Sequence, residues 1–136
     1  MDDATARRPP LVHYVEALTL SGVEFLIVGG QAEQLYGSAR VTFDVDFFFL
    51  RTPDNLQRLA RALTPLQPTL RGAPADLPFR LDAKALAAGN NFTFDTLYGP
   101  LDLLGFLEPI GGYDEAAANA VAMELGPWTV RVLSLD

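Results

Sequence analysis

Hydrophobic positions along this chain follow two patterns, one typical of helices and one of strands. From Pro9-Pro10 onward, apolar residues recur at intervals of three and four, which predicts an amphipathic helix ended by Ser21-Gly22. A second helix is predicted after Thr52, the expected N-cap, with Pro53 at its first position. Apolar or alternating runs predict strands over 23–28, 42–50, 91–96, 101–105, 121–125 and 128–133.

Shorter elements are predicted between these segments. We expect a short helix over Gln31–Tyr36, a helical turn over 81–88 and a helix from Asp114 to about Asn119. Residues 65–78 contain four prolines and one glycine, and predict an irregular connection without an assignable strand. Such alternation within 136 residues predicts one mixed α/β (α+β) domain over 1–136, with residues 1–8 flexible.

Two aspartates lie one residue apart on a very hydrophobic predicted strand, in the run Asp44-Val45-Asp46-Phe47-Phe48-Phe49-Leu50. Side chains alternate across a strand, so Asp44 and Asp46 share one face. Neighbouring carboxylates repel each other unless a cation neutralises them or one takes a proton, and Mg²⁺ prefers oxygen ligands. The spacing predicts a divalent-metal site; the alternative is a solvent-facing pair of unrelated acids.

A glycine pair ends the preceding apolar run, Val23–Val28, and leads into the predicted short helix. Glycines let a ligand approach the backbone closely, and the start of a helix offers unpaired N–H groups to an anion. Gly29 and Gly30 therefore predict a phosphate cradle, although a glycine pair by itself is also consistent with a plain turn.

Residues 29–32 and 37–46 together resemble the nucleotidyltransferase superfamily that includes DNA polymerase β. They are most similar to its minimal branch and to the AbiEii-like proteins of bacterial toxin–antitoxin systems. The shared pattern is an apolar strand, a glycine pair, a short helix, R-x-T and then D-x-D on the next strand. The resemblance extends from about residue 23 to about residue 135. It implies a mixed or antiparallel curved sheet with helices packed on one side.

The resemblance also implies a third carboxylate on a later strand. Asp102 fits that position, because it is an acid within the apolar run 101–104, directly after the turn Tyr98-Gly99-Pro100. Asp95, near the end of the preceding predicted strand, is a competing candidate.

Site roles follow from the resemblance. The catalytic and metal-binding residues implied are Asp44, Asp46 and Asp102, with Mg²⁺ or Mn²⁺ as the cofactor. The nucleotide-binding residues implied are Gly29, Gly30, Arg40 and Thr42. The alternative role for Arg40 is a salt bridge that neutralises the acidic pair, and Ser38 is expected to cap rather than to bind phosphate.

The activity implied is transfer of a nucleoside monophosphate from an NTP to a hydroxyl acceptor on a protein, an RNA end or a small molecule. The alternative is a catalytically silent NTP-binding or toxin–antitoxin interaction module with the same fold. AbiEii-like relatives usually continue into a helix with basic residues; this sequence ends at residue 136, before such a helix, so that the protein is either naturally minimal or part of a longer chain. D-x-D phosphatases place the pair at the end of a strand, whereas here Phe47-Phe48-Phe49 continues the strand; D-x-D glycosyltransferases are usually much longer.

The amino-acid composition limits which cellular environments and which classes of partner are expected for this protein. A net charge of −7 and a pI near 4.5 argue against an extensive nucleic-acid surface. The absence of cysteine excludes disulfides and thiolate metal sites. No apolar run approaches the ~20 residues of a membrane span, and no leader is evident, so we expect a cytoplasmic protein. Expected partners are an NTP, an unidentified acceptor and a toxin–antitoxin partner protein.

Overall fold

The computed structural model describes residues 8–37, 44–74, 80–106, 108 and 110–133, and its centre is a seven-stranded mixed sheet. The strands are β1 Phe25–Val28, β2 Val45–Phe49, β3 Thr69–Leu70, β4 Asn91–Thr96, β5 Gly99–Leu104, β6 Val121–Leu125 and β7 Trp128–Val132. The helices are α1 Pro10–Leu20, α2 Gly29–Leu35, α3 Pro53–Leu63, α4 Ala83–Ala87 and α5 Tyr113–Ala117, with a 3₁₀ turn at Thr64–Leu66.

The strand order is β3-β4-β5-β2-β1-β7-β6. Strands β2 and β5 run parallel, as do β1 and β7, and the other neighbours are antiparallel. Parallel neighbours need long crossover connections, and the helices between the strands provide them. The mixed α+β class predicted from the sequence is therefore confirmed.

The main hydrophobic core lies between one face of the sheet and helices α1 and α3. The inward residues of β2 on this face, which are Val45, Phe47 and Phe49, are fully buried. The predicted apolar stripes of the helices pack on them, with buried residues Leu11, Tyr14, Val15 and Leu18 from α1 and Leu56, Leu59 and Leu63 from α3. The alternation of β4 places Phe94 in the same core, with Phe92 packed at its margin.

The opposite face of the sheet is only partly covered. Phe48 packs there with Leu26 and Val28 of β1 against Tyr113 and Ala116 of α5. Helices therefore pack on both faces, and the expectation of helices on one side alone was wrong. Helix α5 is short and covers the apolar half of this second face, where a buried aromatic side chain supplies the driving force.

Strand β3 lies within the proline-rich connection for which no strand was assigned. Its two residues pair with β4, Thr69 opposite Asp95 and Leu70 opposite Phe94. Two residues are too few to produce a periodic pattern, so only the neighbouring strand edge reveals the pairing. The other predicted strands and helices are present with shifted ends. Within the part of the chain described, no helix is long and apolar enough to cross a membrane.

Candidate functional site

A polar row, formed by Asp46 of β2, Asp102 of β5 and Thr93 of β4, crosses the second face of the sheet from strand to strand. Val28 of β1 lies opposite Asp46 of β2, which lies opposite Asp102 of β5, which in turn lies opposite Thr93 of β4. The backbone N–H of Arg71 extends the row by donating to the Thr93 carbonyl at 3.0 Å. Because neighbouring strands lie about 4.8 Å apart, the register brings the Asp46 and Asp102 carboxylates together.

Gly29 gives the Asp46 carboxylate the room it occupies. A Cβ at position 29 would collide with Asp46 Oδ2. Gly29 also has φ +70°, a backbone conformation that residues with a Cβ rarely adopt. Helix α2 begins at Gly29 rather than at Gln31, so both glycines belong to its first turn. A glycine is thus required here by the close approach of an acid side chain.

Two acids placed face to face change the ionisation of Asp46. Burial is the largest cause of its raised pKa, which lies at about 7 instead of 3.8. A hydrogen bond with the Asp102 side chain and the negative charges of Asp102 and Asp44 raise this pKa further, while the Arg71 guanidinium opposes them. Near neutral pH, Asp46 is therefore partly protonated. This proton reduces the repulsion between the two carboxylates, as a bound cation would.

Asp102 is held on its other side by a guanidinium. Its Oδ1 atom is buried and accepts no hydrogen bond from the residues described, but it forms an ion pair with Arg71 Nη2 at 3.4 Å. The Asp102 side chain is 28% exposed and that of Arg71 is 36% exposed. One carboxylate oxygen is thus withdrawn from solvent without a hydrogen-bond donor, and its charge is only partly offset.

Arg71 also contacts Asp95, the competing candidate for the third carboxylate. Its Nε atom donates to Asp95 Oδ1 at 3.3 Å, and Nη2 donates to the Phe94 carbonyl at 2.9 Å. Asp95 is exposed and lies opposite Pro100 and Thr69, whereas Asp102 lies directly beside Asp46. Of the two acids, Asp102 is the one that the fold brings to the predicted pair.

Asp44 lies just before β2 and is exposed. Its charge reaches Asp46, since it contributes to the raised pKa of that carboxyl. Its backbone carbonyl accepts a hydrogen bond from Gln31 Nε2 of α2 at 3.4 Å. The structure therefore places Asp44 close to the pair but at its solvent side.

Sequence reasoning did not identify Arg71. It follows β3 directly, inside the proline-rich connection, and the sequence around it carries no motif. Arg40, which the sequence suggested as a cation for the acidic pair, lies outside the described residues, as do Ser38 and Thr42. Within the described residues, Arg71 is a guanidinium that does contact the carboxylates.

The fit of a divalent cation can be tested on the donor atoms present. Asp46 and Asp102 offer adjacent carboxylate oxygens, one of them buried without a hydrogen-bond donor, and this is the hard-oxygen donor set that Mg²⁺ and Mn²⁺ prefer. Among the described residues, no group of three or more His, Cys, Asp or Glu side chains is gathered around one point. The pair thus fits the cation in charge and ligand type. Arg71 competes with a cation for Asp102, and Asp44 is a third acid nearby.

Two cavities of about 330 and 300 Å³ lie away from these carboxylates. The first is lined by residues around Arg51 and Tyr113, beyond the other end of β2, and the second by residues around Phe25 and Arg131. Neither is lined by Asp46 or Asp102. Charge, burial and register therefore point to the open polar row, which is a surface site.

No protein-family model, no curated protein and no solved structure matches this chain. The residues of the polar row and their physical chemistry are therefore the basis for the function proposed below.

Proposed function

We propose that the chain is a nucleotidyltransferase that transfers a nucleoside monophosphate from an NTP to a hydroxyl acceptor. The observation that supports this most is the placement of Asp46 and Asp102 side by side on parallel strands β2 and β5, next to a glycine whose missing side chain leaves room for a carboxylate. Like charges gathered on a partly open face are costly to the apo protein, and a divalent cation offsets that cost.

The proposed reaction forms a bond between the acceptor oxygen and the α-phosphorus and breaks the bond from the α-phosphorus to the oxygen of the leaving pyrophosphate. The hydroxyl proton is released to solvent. Bound Mg²⁺ or Mn²⁺ would supply charge neutralisation of the triphosphate and a lower pKa for the attacking hydroxyl. In this scheme the fold is the nucleotidyltransferase fold that the sequence resemblance implies.

The roles of the residues follow from their positions in the row. Asp44 and Asp46 would hold the cations, and Asp102, from the neighbouring strand, would complete the set on the acceptor side. Gly29 and Gly30 would offer backbone N–H groups of the first turn of α2 to phosphate oxygens. Arg40 and Thr42 remain predicted nucleotide contacts.

Asp102→Ala is the most informative variant. We expect it to abolish transfer while NTP affinity stays within about threefold of wild type, because the lost ligand acts mainly in the transition state. The measurement combines calorimetry with each NTP and Mg²⁺ or Mn²⁺ with incubation of the protein, labelled NTP and cell extract. Asp54→Asn is the matched control, since it removes an exposed acid from the first turn of α3.

A catalytically silent NTP-binding or toxin–antitoxin interaction module is the second candidate. The ion pair between Arg71 and Asp102 favours it, because a guanidinium already occupies part of the position that the third carboxylate would offer to a cation. If wild type binds NTP but labels no acceptor, and Asp102→Ala behaves identically, this second candidate is correct. NTP affinity that is unchanged in EDTA would refute the metal-dependent site in either case.

A further inference from the structure

Arg71 makes contacts that a purely structural arginine on a strand edge does not need. Its Nη2 atom donates to the Phe94 carbonyl at 2.9 Å, which alone would fasten the end of β3 to β4. The same guanidinium also lies 3.3 Å from an Asp95 oxygen and 3.4 Å from Asp102 Oδ1. It thus spans two acids on neighbouring strands, of which one belongs to the proposed site and one lies outside it.

The contacts of Arg71 with Asp95 and with Asp102 differ in their hydrogen-bond geometry. The Asp95 contact has hydrogen-bond geometry, whereas the Asp102 contact is an ion pair in which the buried Oδ1 atom accepts no hydrogen bond. Arg71 Nη2 also donates a shorter hydrogen bond to the Phe94 carbonyl, at 2.9 Å. Two hydrogen bonds therefore hold the guanidinium at β4, and the contact with Asp102, which lacks hydrogen-bond geometry, is the one that breaks more easily.

We propose that Arg71 is a resident counter-ion that competes with a divalent cation for Asp102, and that cation binding releases its guanidinium from Asp102 while Asp95 retains it. The inference rests on the proposed function for the identity of the site, and it assigns Arg71 a positioning role. One consequence is that the nucleotide-free protein binds divalent cations weakly, because a positive charge has to leave Asp102 first.

The probe is Mn²⁺ alone, titrated into the full chain without nucleotide and followed by the electron paramagnetic resonance of free Mn²⁺. Arg71→Gln removes the competing charge, and we expect it to raise Mn²⁺ affinity by about tenfold. Arg71→Lys keeps the charge and should stay within about threefold of wild type. Arg80→Gln is the matched control, because the Arg80 side chain is 90% exposed and its Nε atom lies 3.9 Å from Asp82 rather than beside the proposed site.

A double-variant cycle separates competition for Asp102 from a general effect of charge. In an Asp102→Asn background, Arg71→Gln should change Mn²⁺ affinity by less than about twofold, or leave binding equally undetectable, because the shared partner is gone. An undiminished tenfold effect in that background, or an equal gain from Arg80→Gln, would overturn the proposal. So would unchanged affinity in Arg71→Gln.

A measurement on wild type covers the case in which Arg71→Gln does not fold. Titration with diamagnetic Mg²⁺ should shift the guanidinium NMR resonances of Arg71 and leave those of Arg80 in place, and stationary Arg71 resonances at saturating Mg²⁺ would refute the release. If NTP neither binds nor reacts but the cation responses are as described, the proposed function fails and the competition stands. If NTP transfer occurs but Arg71→Gln leaves Mn²⁺ affinity unchanged, the competition alone fails.

Discussion

Polar side chains at the two ends of strand β2 differ in how well their partners satisfy them. Beside the carboxyl end of β2 lies Asn55 of helix α3, which is 1% exposed and whose side chain makes three hydrogen bonds. Its Oδ1 accepts from the Glu24 N–H at 2.7 Å, and its Nδ2 donates to the Glu24 and Leu50 carbonyls at 3.0 and 2.7 Å. At the other end, Asp46 faces Asp102, and a raised pKa and a loose ion pair only partly offset the like charges.

The difference separates a side chain that stabilises the fold from a pair that does not. Asn55 makes part-buried hydrogen bonds to backbone groups just before β1 and just after β2, and so joins the ends of the two strands. Within the described residues, the side chains of the carboxylate pair accept no hydrogen bond from the backbone, and their like charges add repulsion. Local violations of the rules of stability are expected at functional sites, and this contrast is the physical reason for seeking function at the amino end of β2.

Asn55→Ala should produce the largest effect on stability. The free energy of unfolding should fall by about 3 kcal/mol, because the change removes three hydrogen bonds from part-buried backbone groups of Glu24 and Leu50. Urea denaturation measures the loss. Gln57→Ala, an exposed amide on the same helix, should change stability by less than about 0.5 kcal/mol. Equal losses for both variants would remove the contrast between the two ends of β2.

Gly29→Ala should have the next largest effect on stability. The free energy of unfolding should fall by about 2 kcal/mol, because alanine strains the backbone at this φ and its Cβ collides with the Asp46 carboxylate. Gly22→Ala is the matched control: Gly22 has φ +74°, and among the described residues a Cβ there would meet Arg58 Cδ alone, at 3.8 Å. It should lose about 1 kcal/mol from the backbone alone. In an Asp46→Ala background, the cost of Gly29→Ala should fall to that of the control.

A cost of Gly29→Ala that is unaltered by Asp46→Ala would show that the collision plays no part. Gly29 would then be explained by its backbone conformation alone, and its closeness to the carboxylate would lose its significance.

Asp46→Asn should have the smallest effect on stability, and the opposite sign. Because the pKa of Asp46 is about 7 in the folded protein and 3.8 when unperturbed, the folded state keeps a proton that the unfolded state has lost. Stability contributed by that proton is present below about pH 4 and declines as the pH rises to about 7. Asp46→Asn should therefore stabilise the apo protein by about 1 kcal/mol at pH 8 and should change its stability little at pH 4. The value at pH 8 is reduced to allow for the partial exposure of Asp46.

Thermal denaturation of both proteins from pH 4 to pH 8 tests this, with Asp54→Asn as an exposed-acid control. Mg²⁺ with NTP should stabilise wild type and not Asp46→Asn. A large loss of stability in Asp46→Asn at every pH would instead identify Asp46 as a structural partner of Asp102.

The sequence by itself determined most of the secondary structure and the face of each strand. The period of two in β2 separated Asp46 from the buried side chains of Phe47 and Phe49, and the three- and four-residue spacing in α1 and α3 identified their core residues. These features are local, since they follow from the geometry of one strand or one helix. The resemblance implied a third carboxylate, and Asp102 was chosen for that position because it lies within an apolar run.

Only the tertiary structure decided which residues meet. The register of β2 against β5 places Asp46 beside Asp102 rather than beside Asp95, and the two-residue strand β3 carries Arg71 to both acids. Helix α5 packs on the face that the sequence had left bare. These features depend on pairings between segments distant in the chain, which no local periodicity records. The ionisation of Asp46 depends on the same pairings, because burial and neighbouring charges set a pKa only once the strands are together.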